Sequence, residues 1–151
     1  MAQQRPRVLV AGTGEAIGLI RLVLGEAAEV VPAASVEAAV QRLDAGIALI
    51  LVNVGFDDSR IFDFLGALHE GAYRDVPVVC FRIHEATLPP AMAKSVELAL
   101  AEIGTPVLVD VPALARGQGM EAALAVLRRR VVAALYPERR DDPAERPGTN
   151  A

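Results

Sequence analysis

The chain has 151 residues, 53% of them hydrophobic and 23% charged, and a formal net charge of −4. This composition excludes wholesale disorder, and the length predicts one domain with a core of its own. A mildly acidic chain also lacks the electrostatic footprint of a nucleic-acid binder. The single cysteine, Cys80, excludes an internal disulfide and a multi-cysteine zinc site. The longest apolar runs, such as Ile47 to Val52, are far short of the ~20 residues a membrane helix needs. The basic N-terminus leads into a strand-like run rather than a secretory signal. No membrane association is expected, and the expected location is the cytoplasm.

Strand and helix patterns alternate. Arg7 to Ala11 is a short apolar run ending at Gly12, which suits a buried strand. Ile17, Ile20 and Leu24 follow at helical spacing, and that helix stops near Gly25. Glu29 to Ala33 is a second strand, whose Pro32 suits only an edge or a strand end. Ser35 caps a second helix with Glu37 in its first turn; Val36, Val40 and Leu43 are its expected buried face and Gly46 its stop. Ile47 to Val54 is apolar except Asn53, as in a strand covered on both faces.

Asp57, Asp58 and Ser59 then read as loop and cap, and Ile61, Leu65 and Leu68 carry a third helix. Val76 to Phe81 is a fourth strand. Thr87 to Pro90 opens a fourth helix, with Met92, Val96, Leu100 and Ile103 on its apolar face and Gly104 at its end. Pro106 to Asp110 is a fifth strand. Met120, Leu124, Leu127, Val131 and Leu135 run down a long last helix. Five such units predict an α/β three-layer sandwich: a five-stranded parallel sheet with five helices on its two faces. Residues 6–136 form the expected domain. Residues 137–151 carry no apolar stripe and read as a flexible tail or linker.

In an open parallel sheet, ligands bind at the carboxyl ends of the strands. Here those ends are Gly12–Gly14, Asn53–Asp58, Arg82–Glu85 and Asp110–Pro112. The segments Glu29 to Leu43, Leu49 to Val54 and Asp75 to Val78 resemble the receiver domain of two-component response regulators. The resemblance runs over roughly residues 6–135, in order and with fitting loop lengths. It implies a flavodoxin-like fold with strand order 2-1-3-4-5.

The resemblance also implies where a phosphate switch would sit, and every such position is changed. The acidic pair that holds magnesium falls on Gly12 and Thr13. The acceptor aspartate falls on Asn53, the serine or threonine after the fourth strand on Arg82, and the lysine before a proline on Val111. The aromatic of the fifth strand falls near Leu108. An acyl phosphate needs a carboxylate nucleophile, which the amide of Asn53 is not. Magnesium is held by carboxylates, and Gly12 and Thr13 supply none. No phosphoacceptor, metal, cofactor or catalytic residue is therefore expected. Asp57 and Asp58 read as loop acids or a helix cap. Arg82 has two readings: an exposed cation paired with Glu85, Asp57 or Asp58, or an internal cation that fixes the neighbouring loops.

A rival reading is a nucleotide site. Gly12, Gly14 and Gly18 form G-x-G-x-x-x-G between a strand and a helix, one residue longer than the dinucleotide fingerprint. The second strand ends in Pro32, Ala33 and Ala34, with no acid for a ribose hydroxyl, and Glu15 adds a negative charge near any phosphate. His69, His84 and mid-strand Cys80 assemble no hydrolase triad. Arg128, Arg129 and Arg130 spread around the last helix and complement its dipole. The sequence thus predicts a phosphorylation-independent, non-enzymatic signalling domain that acts by protein–protein interaction. The resemblance implies a histidine kinase or an output domain as partner. It also implies signalling through the face formed by parts of 88–104, 106–111 and 118–135, through which a homodimer is possible.

Overall fold

The computed structural model describes residues 5–54, 61–73, 75–84, 91, 94, 95, 98 and 108–136. Its strands are β1 (Arg7–Ala11), β2 (Glu29–Ala33), β3 (Ile47–Asn53), β4 (Val78–Arg82) and β5 (Leu108–Asp110). Its helices are α1 (Gly14–Leu24), α2 (Val36–Arg42), α3 (Ile61–Glu70), α4 (Val111–Gln118) and α5 (Met120–Leu135). The strands make one parallel sheet in the order β2-β1-β3-β4-β5, as the resemblance implied. Among the described residues no helix is long and apolar enough to cross a membrane.

Alternation along the strands sorts the core into two layers. Leu9, Ala11, Ile50, Val52 and Cys80 face α2 and α3, where Ala39, Phe64, Leu65 and Leu68 meet them. Val8, Val10, Leu49, Leu51 and Phe81 face α1 and α5, against Ile20, Leu24, Leu127 and Val131. Burial of each such side chain stabilises the fold by roughly 1.5–3 kcal/mol. A one-residue slip of β1 or β3 would exchange the two sets, so the register is tightly specified. Pro32 is tolerated because β2 is an edge strand, where its missing N–H removes little.

The helix ends follow local chemistry. Thr13 and Ser35 accept the amides of Ala16 and Ala38 at 3.2 and 3.1 Å, capping α1 and α2. Gly25 leaves α1 with φ +54°, a conformation glycine adopts without strain. Between β5 and the long last helix lies α4, begun by Asp110, whose Oδ1 accepts the Ala113 amide at 3.2 Å. Gly119, at φ +92°, separates α4 from α5. Arg128 does more than complement a dipole: its Nη1 donates to the carbonyl of Val23 at 2.6 Å, tying α5 to the last turn of α1.

Several details of the sequence reading need correction. Val40 is 45% exposed, because α2 ends at Arg42 and Ala39 takes the buried position. Gly46 does not stop that helix; Leu43 does. The Gly46 amide instead donates to Asp44 Oδ1 at 2.7 Å, and Arg7 bridges Asp44 and Glu29. These contacts hold the Asp44 carboxyl below its ordinary range, the Gly46 amide first and Arg7 second. Met120 is exposed, its expected core place taken by Ala123. β4 begins at Val78 rather than Val76, while Pro77 gives its carbonyl to Ile50 at 3.0 Å. Ala91, Lys94, Ser95 and Leu98 are helical, in line with a helix there. The expectations for Asp57 to Ser59, Glu85, Thr87 to Pro90, the apolar face from Met92 to Ile103, Pro106 and 137–151 lie outside the described residues.

Cys80 lies buried in the middle of β4, and burial pushes its thiol up to about 12. The thiolate is the reactive form. The folded protein should therefore resist iodoacetamide near neutral pH, and urea should restore the reactivity of an ordinary thiol. Rapid native labelling would show that β4 is not packed as described.

Candidate functional site

β1 and β3 are neighbours, and their carboxyl ends bring Gly12 and Asn53 together. Asn53 is 3% exposed and is the one buried polar residue among those described. It continues the alternation of Leu49 and Leu51 toward α1 and α5. Burying an amide without a partner costs about 1–3 kcal/mol. Among the described residues, no buried side-chain polar atom is left without one.

Gly12 fits here because there is no room for more. A Cβ on it would lie 3.0 Å from the Asn53 Cβ and 3.2 Å from the Ala16 Cβ. The Gly12 amide donates to the Ala33 carbonyl at 3.0 Å, extending the β1–β2 pairing by one step. Thr13 turns its hydroxyl to the α1 cap and away from any pocket role. A magnesium ion at such a site needs carboxylate oxygens. Gly12, Thr13 and Asn53 supply none, and the contact at Gly12 obstructs a side chain that could. These residues do not fit the ion.

Val111 opens α4 and is 2% exposed, packed among Val8, Val10, Phe81 and Val109. An apolar side chain therefore fills the position where the resemblance places a lysine. Glu85, Asp57 and Asp58, the partners read for Arg82 in the sequence, lie outside the described residues; among the described residues Arg82 meets Asp110. The two are paired residues at the ends of β4 and β5. Arg82 Nη1 lies 3.6 Å from Asp110 Oδ2, and Arg82 Nε donates to the His84 carbonyl at 2.9 Å. The signal for this pair is that Arg82 and Asp110 end adjacent strands.

His84 and Glu15 were not linked by the sequence reading. Their side chains meet, Nε2 to Oε2, at 2.7 Å across the mouth between α1 and the end of β4. The glycine run gives the nucleotide reading little support. Gly14 and Gly18 lie within α1, neither has positive φ, and a Cβ on either would meet nothing within 4 Å. The Gly12 amide that a phosphate cradle would use is engaged by Ala33.

The close approach at Gly12 is directly testable. Gly12→Ala should destabilise the protein by about 1–3 kcal/mol in urea unfolding, as overpacking does. Gly18→Ala, on an open helical surface, should be neutral or stabilise by up to about 1 kcal/mol. Equal effects at the two sites would mean that the strand ends are not tightly joined.

No family model and no curated protein matches the chain. Solved structures do. The chemotaxis response regulator CheY4 of Vibrio cholerae aligns with a TM-score of 0.58 and 17% identity, over 84% of this chain and 98% of that one. The signal receiver domain of a putative Luxo repressor protein from Vibrio parahaemolyticus gives 0.62 and 17%, over 94% and 98%. A response regulator from Hahella chejuensis gives 0.57 and 23%, over 80% and 90%. The chain thus has the fold of response-regulator receiver domains.

Proposed function

We propose that this chain is a receiver-like signalling domain that works without phosphoryl transfer, through contact with another protein. The observation that carries this reading is the buried amide of Asn53 against Gly12, where an acceptor carboxylate and a metal-binding acid would have to stand. An amide nitrogen or oxygen is not the nucleophile that forms an acyl phosphate. Val111 adds to it, because an apolar side chain in the core offers no cation to a phosphoryl group. On this reading the domain is not an enzyme, works in the cytoplasm, and occupies 6–136 with 137–151 as tail or linker.

The partner surface belongs to the side of the sheet that ends in β5. A groove lined by Leu108, Asp110, Leu114, Val126 and Arg130 lies there, mixing apolar walls with one charge of each sign. A histidine kinase, an output domain or a second copy of the chain would dock on that side.

Acetyl phosphate with magnesium supplies the test, read by intact mass. The natural chain should gain no phosphate. Asn53→Asp alone should also gain none, because Gly12 and Thr13 still give the ion no carboxylate. A stable adduct on the natural chain that maps to the strand ends would overturn the reading.

A further inference from the structure

The carboxyl edge of the sheet carries a line of charges that the argument about position 53 does not use. Glu15, in the first turn of α1, meets His84 across 69 positions of sequence at 2.7 Å. The His84 carbonyl accepts Arg82 Nε at 2.9 Å, and Arg82 Nη1 stands 3.6 Å from Asp110 Oδ2. The other oxygen of Asp110 caps α4 through the Ala113 amide. We propose that Glu15, His84, Arg82 and Asp110 form a polar strap across the strand ends, joining the start of α1 to the start of α4, and that His84 makes it responsive to pH.

The physical basis is the charge of one ring. Histidine is the side chain that changes charge between roughly pH 5 and 8. Protonated, the His84 ring forms a charge-assisted bond with the Glu15 carboxylate. Neutral, it can still donate Nε2–H to the carboxylate, but the attraction between opposite charges is gone. The strap therefore tightens as pH falls through this range and slackens as pH rises. The charged groups around His84 among the described residues are Glu15 from α1, Arg82 from β4 and, behind Arg82, Asp110 from β5. His84 is the histidine of this line of charges and so its variable link. Both His84 and Glu15 are exposed, which makes the response a local adjustment of the rim rather than a change of fold.

An NMR titration of the full chain over roughly pH 5 to 8 tests this. Backbone amides of residues 13–17 and 110–114 should shift with the same midpoint as the His84 ring. His84→Gln should abolish both responses, and Arg82→Gln should abolish only that of 110–114. If 13–17 do not respond, or respond equally in His84→Gln, the strap does not exist and His69 becomes the source of any change. A response at 110–114 that survives Arg82→Gln would equally overturn it. The proposal is independent of the phosphate reading: an adduct at the strand ends would refute that reading and leave the titration outcome untouched.

Discussion

The close approach of β1 and β3 at their carboxyl ends governs the rest of the molecule. β1 pairs with strands on both sides, and Val8, Leu9, Val10 and Ala11 are fully buried. Because one strand emerges as Gly12 and its neighbour as Asn53, α1 can start immediately, with Ala16 packed over the junction. A larger residue at position 12 would press on both. On the proposed reading, the same economy of space leaves no room beside Asn53 for a metal-binding acid.

Around this close-packed junction the rim is held by side-chain charge. Arg82 and Asp110 join β4 to β5, while His84 and Glu15 join the end of β4 to α1. The exposed His84–Glu15 pair contributes at most about 1 kcal/mol, and the Arg82–Asp110 pair is partly buried. Their importance is geometric, since they cross between elements that the hydrophobic layers hold only from below. Arg128 plays a comparable part on the α1–α5 side, where it satisfies a carbonyl of the last turn of α1.

Much of this was legible from the residues. The apolar run of β3 with its single amide, the edge position of Pro32 and the cap Ser35 all follow from periodicity and turn chemistry, whereas Thr13 was not read as the cap it is. Val40 misled because helical spacing cannot say where a short helix stops, and α2 ends at Arg42. Short α4 was missed because Asp110 and Pro112, which start it, also suit a loop. At the site, the resemblance singled out Gly12, Asn53 and Val111, and Gly12 and Asn53 do meet at the strand ends. Chain order could not pair Arg82 with Asp110 or Glu15 with His84, because those contacts depend on which strands are neighbours and on where α1 begins.

The central claim is that the strand ends hold no receptive site for a phosphoryl group and its ion. The most direct measurement is an NMR titration of the protein with magnesium and beryllofluoride, a phosphoryl mimic, following the amides of Gly12, Asn53, Val54 and Val111. The account predicts that these signals stay where they are at the highest concentrations used. Saturable shifts at these residues, dependent on both components, would contradict it.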